Sequence, residues 1–258
     1  MPDFELHYEQ RGSGRPLLLI HGFPFSGRMW RRQLESLSSE SQVIVSDLPG
    51  FGKSPASPAP SVEQFATDCL AILEGLHISQ KVVLGGFSMG GYIALAAARL
   101  FPERLAGLLL LSTRAGADSA EGKAGRDATI AKVRGTGPSV VADGMYPKLL
   151  APATYTDQPA VATELKDVMQ DATTDGVIGA LTAMRDRPDS VPFLKNISVP
   201  TLIIHGQEDA VIPPSEAQVM ADGIPNSQLH LVAKAGHLPP MEQPAEFDRI
   251  VSEFLRKI

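Results

Sequence analysis

The stretch that decides the fold is Lys81-Val82-Val83-Leu84-Gly85-Gly86-Phe87-Ser88-Met89-Gly90-Gly91-Tyr92-Ile93-Ala94-Leu95-Ala96-Ala97-Ala98. Its first part is an apolar run typical of a buried strand, and its last part has the composition of a helix. Between them, glycines at 86 and 90 let the chain turn so tightly that Ser88 is forced into strained geometry with its hydroxyl exposed above the sheet. The stretch therefore predicts Ser88 as a nucleophile, and a larger residue at Gly86 or Gly90 would crowd the turn.

On both sides of this stretch, short apolar runs alternate with helical patterns. The alternation predicts an α/β fold with a mostly parallel sheet flanked by helices. An antiparallel edge strand is expected over 4–8, and an amphipathic helix after Pro244 closes the chain. The apolar runs cover residues 16–20, 43–45, 82–84, 108–111, 201–204 and 229–232.

The pattern changes between Thr113 and Val199, where several helical patterns occur without a convincing strand. We expect an inserted helical cap over 114–198 and a core formed by 1–113 and 199–258. Two sets of apolar residues have helical spacing and are expected to pack inward, with some of them roofing the pocket over Ser88. They are Val161, Leu165, Val168 and Met169, and Val177, Ile178, Leu181 and Met184.

Composition restricts the partners of the protein. A formal charge of −6 over 258 residues leaves no basic stripe, so we expect no nucleic-acid partner. Residues 1–6 lack the features of a signal peptide, and the longest aliphatic runs are too short to span a bilayer. We expect a cytoplasmic protein without a membrane partner, and the sequence leaves a homo-oligomer open. The lone Cys69 is expected to be buried packing.

A serine nucleophile needs a base to accept its proton, and the base needs an acid to orient it. His237 is favoured as the base because it follows the last strand and precedes the last helix, at the edge where strand-to-helix loops meet. His21 and His205 end strands on the same edge and remain alternatives, although organising loops is their more natural role. For the acid, Asp209 is preferred to Glu208, and both follow the 201–204 strand.

Acyl transfer also needs donors for the oxyanion of the tetrahedral intermediate. The backbone N–H groups of Phe23 and Met89 are the candidates, because one follows a strand end and the other starts a helix beside the nucleophile. No metal-ligand motif is found, and this chemistry needs neither metal nor cofactor. Gly52-Lys53-Ser54 resembles the end of a phosphate loop, but Asp47 stands where that loop requires glycine, so no ATP site is expected.

Together these motifs resemble the α/β-hydrolase superfamily along nearly the whole chain. The segment 21–24 (His-Gly-Phe-Pro) resembles its oxyanion loop, 47–54 its conserved turn, 86–91 its nucleophile elbow, and 205–209 and 236–237 its acid and base loops. Within the superfamily the sequence is most similar to bacterial carboxylesterases, cofactor-free haloperoxidases (perhydrolases) and 3-oxoadipate enol-lactonase-like enzymes. Pro24 matches a proline of the perhydrolase-like members, which implies a secondary perhydrolase activity.

The expected function is hydrolysis of a small ester or lactone by Ser88, His237 and Asp209, in a pocket that includes Pro24, Phe87 and Tyr146. Alternatives are a ligand receptor on the same scaffold, since fold does not fix function, and a hydrolase of carbon-carbon bonds. Four cations of the cap could pair with a substrate carboxylate, as an enol-lactonase would need, although solvated helix charges are commoner. These cations are Lys123, Arg126, Lys132 and Arg134.

Overall fold

The computed structural model of the protein describes residues 6–57 and 60–258, whose strands form one sheet. Neighbouring strands are parallel except for the first strand, which is antiparallel to the third, and this confirms the predicted sheet. The strands are β1 (Tyr8–Arg11), β2 (Pro16–Ile20), β3 (Gln42–Ser46), β4 (Val82–Phe87), β5 (Leu105–Leu111), β6 (Thr201–Gly206) and β7 (Ser227–Val232). Their order in the sheet is β1-β3-β2-β4-β5-β6-β7.

The first strand lies further along the chain than predicted. The alternation over 4–8 placed it there, but β1 begins at Tyr8, and Phe4 and Glu5 lie outside the described residues. Most of β1 is exposed, and it is held by backbone pairing with β3. Alternating burial is therefore a weak guide to this strand.

Helices cover both faces of the sheet, and residues of β2 alternate between the two hydrophobic clusters beneath them. Leu18 and Ile20 pack with one cluster, whereas Leu17 and Leu19 pack with the other. Burial on both faces explains why this strand is a continuous apolar run. The helices outside the 114–198 segment are α1 (Arg31–Ser36), α2 (Val62–Gly75), α3 (Met89–Leu100), α9 (Pro214–Gly223), α10 (Pro239–Glu242) and α11 (Pro244–Leu255).

The segment between β5 and β6 is helical, apart from a single bridge that joins Ala172 to Phe51. Its apolar residues join both clusters of the sheet, with Val133 and Leu181 in one and Val161 and Leu165 in the other. The segment therefore packs on both sides of the sheet's carboxyl edge. Its helices are α4 (Ala120–Thr136), α5 (Ser139–Met145), α6 (Pro152–Asp157), α7 (Pro159–Val168) and α8 (Thr174–Asp186).

The last helix agrees with the predicted pattern. In α11 the residues Phe247, Ile250, Val251, Phe254 and Leu255 are buried, as their helical spacing indicates. Cys69 is buried in α2, and burial raises the pKa of its thiol to about 12. Within the described residues, no helix combines the length and the apolar character that crossing a membrane requires.

Candidate active site

The turn from β4 into α3 holds Ser88 in a backbone conformation that L residues rarely adopt. Its φ is 53° and its ψ is −112°, which is a strained combination for a residue with a side chain. Two hydrogen bonds fix the turn: the Ser88 N–H donates to Leu111 O at 2.8 Å, and Thr113 Oγ1 donates to Ser88 O at 2.8 Å. A Cβ at Gly86 would collide with the Gly90 carbonyl. The predicted strain and crowding are both observed.

His237 lies between Ser88 and Asp209. Its Nε2 is 3.0 Å from Ser88 Oγ, and its Nδ1 is 2.7 Å from Asp209 Oδ2. Since a carboxylate accepts, Nδ1–H donates to Asp209 and Nε2 is free to accept from the serine hydroxyl. His237 is fully buried, and its backbone N–H donates to Leu149 O at 2.8 Å. The three side chains chosen from the sequence therefore meet in one hydrogen-bonded row.

Asp209 is held as an ionised carboxylate. Burial alone would raise its pKa, but electrostatic attraction to His237 and hydrogen bonds from His205, His237 and the Ile212 N–H outweigh burial and lower the pKa of Asp209. Its Oδ1 accepts from the N–H groups of Val211 at 2.8 Å and Ile212 at 2.9 Å. A buried anion with these donors can orient the imidazole and stabilise its protonated form.

The two alternative histidines make hydrogen bonds within loops. His21 Nδ1–H donates to Gly22 O at 2.8 Å, and its Nε2 accepts from the Leu48 N–H at 2.9 Å. Burial lowers the pKa of His21 to about 4. His205 Nε2 lies 2.9 Å from Ile212 O and 3.1 Å from Asp209 Oδ2. Both side chains thus organise loops, and His205 also supports the acid.

A cavity of about 410 Å³ opens onto Ser88. Phe23 and Ile212 line it from the sheet edge, and Met145, Leu181 and Met184 line it from the inserted helices. Its size, with a wall that combines apolar and polar side chains, is that of a site for a small molecule.

Three residues expected in this pocket lie elsewhere or behind it. Tyr146 borders a different cavity, where its ring meets that of Tyr155, and the adjacent Met145 faces the Ser88 cavity instead. Phe87 is fully buried behind the imidazole, with ring centroids 4.9 Å apart from His237. Pro24 is buried and is not among the residues that line the cavity. A position next to a site residue in the sequence does not fix which way its side chain points.

The N–H groups of Phe23 and Met89 have no acceptor within the part of the chain that the structure describes. Among the described residues, neither donates to a backbone or side-chain acceptor in the loops and caps. Met89 is the first residue of α3, where an N–H has no acceptor within the helix. Phe23 lines the Ser88 cavity itself. Both amides are therefore available to a ligand.

Sequence comparison agrees with this geometry, because residues 17–250 match the model of a family described as the Alpha/beta hydrolase family. The chain belongs to this family. The predicted superfamily resemblance and fold class are thereby confirmed.

Three similar proteins illustrate the range of alpha/beta hydrolases near this chain. An esterase from Thermogutta terrifontis, solved with malate bound, is 44% identical with a TM-score of 0.95, covering 98% of this chain and 93% of that chain. A 3-oxoadipate enol-lactonase 2 from Acinetobacter baylyi is 28% identical over 258 residues, which is 99% of this chain and 94% of the relative. A bromoperoxidase from Bacillus anthracis is 27% identical with a TM-score of 0.86, covering 98% and 96%.

One polar residue that supports the base loop of this alpha/beta hydrolase was not found from the sequence. Glu242 in α10 is buried, and burial raises the pKa of its carboxyl although four hydrogen bonds oppose the shift. Its position shortly after His237, at the end of a short helix of otherwise apolar residues, was the available signal. The donors to its two oxygens are the N–H groups of Ala151 (2.7 Å), Gly236 (2.8 Å) and Leu238 (3.2 Å) and Thr154 Oγ1 (2.8 Å).

Only some of the basic residues noted in the segment 114–198 reach the cavity of the hydrolase. Arg126 and Lys132 line it, whereas Lys123 and Arg134 are exposed and are not among its lining residues. Arg114 also lines the cavity and was overlooked. It follows β5 at the same sheet edge as Ser88, and this position was the signal for it.

Proposed function

We propose that this hydrolase cleaves carboxylic esters or lactones through an acyl-enzyme. The observation that carries the proposal is the row from Ser88 Oγ to His237 Nε2 (3.0 Å) and from His237 Nδ1 to Asp209 Oδ2 (2.7 Å), which ends in the cavity. Such a row activates an otherwise inert hydroxyl, because the imidazole accepts its proton as the oxygen attacks.

In this mechanism Ser88 Oγ attacks the carbonyl carbon and His237 Nε2 takes the hydroxyl proton. The resulting oxyanion accepts hydrogen bonds from the N–H groups of Phe23 and Met89, and each such donor is worth about 3 to 4 kcal/mol of barrier. Collapse breaks the bond to the alkoxide, which takes the proton back from His237. Water, deprotonated by His237, then attacks the acyl-enzyme and releases the acid and Ser88.

Esters and lactones are preferred to amides because an alkoxide leaves more readily than an amine. The cavity of about 410 Å³ has room for a small or medium acyl group. An esterase and an enol-lactonase are among the similar proteins. The segment 114–198 supplies most of the lining residues opposite Ser88, and we assign it as the cap over this site.

Replacement of the nucleophile tests the proposal. We expect Ser88→Ala to lower kcat for 4-nitrophenyl butyrate by roughly 10³-fold or more, since the remaining groups cannot form an acyl-enzyme. Nitrophenolate release measures the rate. Ser139→Ala changes an exposed serine of α5 and should retain wild-type turnover. Equal turnover by Ser88→Ala and wild type would refute the proposal.

Two rivals use the same scaffold. A receptor would be acylated slowly and only once, so stopped-flow measurement with an activated aryl ester separates it from an enzyme, which turns over repeatedly. A carbon-carbon bond hydrolase would use the same three residues, and profiling with esters, lactones and diketones separates it from an esterase.

Two observations support a perhydrolase side activity. They are the Pro24 loop and the similarity to a bromoperoxidase. In this reaction peroxide replaces water in releasing the acyl group. The peracid formed from acetate and hydrogen peroxide oxidises added bromide, and the resulting bromination of a dye should be faster for wild type than for Ser88→Ala. Equal rates would exclude the side activity.

A further inference from the structure

The wall of the Ser88 cavity carries an unbalanced positive charge. Among its lining residues in the described part of the chain, three are cationic and none is acidic, although the whole protein has a net charge of −6. The cations are Arg114, Arg126 and Lys132. A cleft lined by one sign of charge concentrates its field and attracts ligands of the opposite sign.

A single buried carboxylate, that of Asp118, forms ion pairs with three arginines. Asp118, whose side chain is 2% exposed, accepts from Arg114 Nη2 at 2.5 Å, Arg126 Nε at 2.7 Å and Arg187 Nη1 at 2.8 Å. Arg187 is buried, and its terminal nitrogens also donate to the carbonyls of Met184 and Gly116. One anion therefore fixes three guanidinium groups and neutralises only one of them.

Arg126 and Lys132 have side-chain N–H donors without an acceptor among the described residues. Arg126 uses Nε for Asp118, and no hydrogen bond among the described residues occupies its two terminal nitrogens. Lys132, on the same helix, has no ion pair among the described residues and lines the cavity rim. The contact with Asp118 holds the guanidinium plane of Arg126, which prepares it for a second, bidentate carboxylate.

We propose that the cavity binds substrates with a free carboxylate at the end away from the scissile bond, such as half-esters of dicarboxylic acids or lactones that carry a carboxylate. Arg126 holds this carboxylate, and Lys132 and Arg114 add attraction. This inference rests on the proposed function for its reaction, because Ser88 attacks the ester carbonyl in the same cavity. An apolar wall of Met145, Leu181 and Met184 contacts the methylene chain between the two ends.

A matched pair of substrates tests the inference. 4-Nitrophenyl hydrogen adipate and 4-nitrophenyl hexanoate share the leaving group and the acyl length, and differ by a terminal carboxylate against a methyl. The measured quantity is the ratio of their kcat/KM values after subtraction of spontaneous hydrolysis. We expect this ratio to fall about tenfold in Arg126→Gln and about threefold in Lys132→Gln, which sits at the exposed rim, and to fall with added salt in wild type.

Lys123→Gln is the control, because it removes the same charge from the same helix at an exposed position outside the cavity. Its ratio should equal that of wild type. Lys132→Gln breaks no ion pair, so it remains informative if Arg126→Gln does not fold. A ratio unchanged in Lys132→Gln and in any folded Arg126→Gln would overturn the inference.

A binding measurement separates failure of this inference from failure of the proposed function. Isothermal titration calorimetry with adipate on Ser88→Ala should detect binding that weakens when Lys132→Gln is added. If neither ester is turned over but adipate binds in this way, the proposed function is wrong and the anion site stands. If neutral esters are turned over and adipate does not bind, the anion site is wrong and the proposed function stands.

Discussion

At the scale of single residues, the site depends on buried charges whose partners come from distant parts of the chain. Asp209 follows β6, His237 follows β7, and Glu242 joins the His237 loop to the start of α6. A buried carboxylate without donors would be costly, and here each has several. The position of the base therefore depends on Glu242 as well as on Asp209.

Removing this carboxylate should cost both stability and activity. Glu242→Ala leaves buried N–H groups of Ala151 and Gly236 without an acceptor, so we expect a loss of about 3 kcal/mol in the free energy of unfolding. A looser His237 loop should also lower kcat for 4-nitrophenyl butyrate. Urea unfolding and steady-state kinetics measure the two effects.

Glu246→Ala is the matched control for Glu242→Ala, since it removes an exposed acid whose partner is Arg249. Exposed ion pairs contribute little, so a change below about 0.5 kcal/mol is expected. If Glu242→Ala were as mild as this control, the bridging role of Glu242 would be wrong.

At the scale of elements, the strand-turn-helix of β4 and α3 is the part where sequence and structure agree most closely. Short apolar runs gave the parallel strands because these strands are buried on both faces, and glycines at 86 and 90 gave the turn because only they fit it. The exposed β1 lies further along the chain than predicted, because backbone pairing with β3 rather than burial determines its position. The side chains of Phe87 and Tyr146 were misplaced because each lies at one end of an element, where closeness to a site residue in the sequence does not fix the direction of a side chain.

The tight turn predicts an asymmetric response to one added methyl group. In Gly86→Ala the new Cβ meets the backbone carbonyl of Gly90, which cannot move without disturbing Ser88. We expect a loss of about 3 kcal/mol or more, or insoluble protein. Gly75→Ala, at the end of α2, has nothing within 4 Å of the new Cβ and should change stability by less than about 1 kcal/mol.

Thermal and urea unfolding measure both glycine variants. Soluble Gly86→Ala with wild-type stability would mean that the elbow relaxes more readily than its backbone contacts indicate.

At the scale of the whole molecule, stability should depend on pH through His21. Burial lowers the pKa of this side chain to about 4, against 6.5 as the ordinary value, so the unfolded chain binds the proton first as the pH falls. Stability is then fully present above pH 6.5 and is lost as the pH falls toward 4. Protonation of His21 lowers the free energy of unfolding by about 3 kcal/mol over this range.

Urea unfolding of His21→Gln between neutral and mildly acidic pH tests the assignment. The glutamine oxygen can still accept from the Leu48 N–H, and the side chain no longer titrates, so the dependence on pH should be shallower than in wild type. His77→Asn removes an exposed histidine and should leave the dependence unchanged. An equal slope in wild type and His21→Gln would contradict the role of His21.

The chain as a whole could be assigned to its family from motifs, and the hydrogen-bonded row of Ser88, His237 and Asp209 could be predicted from their places after strand ends. The charged cavity wall was predicted only in part: Arg126 and Lys132 were among four candidate cations, but Arg114 was missed because it lies on a different segment and meets Arg126 only through the buried Asp118. Lys123 and Lys132 look equivalent in the sequence, and only packing decides which one faces the cavity.

Helix α4 carries Arg126 and Lys132 but none of the residues assigned to bond cleavage. Substitutions in this one helix are therefore free to alter what is recognised while the reaction itself is preserved. Natural variants of the protein should therefore differ in the substrates they accept before they differ in the reaction they catalyse. A library of substitutions confined to α4 is the most direct starting point for changing selectivity.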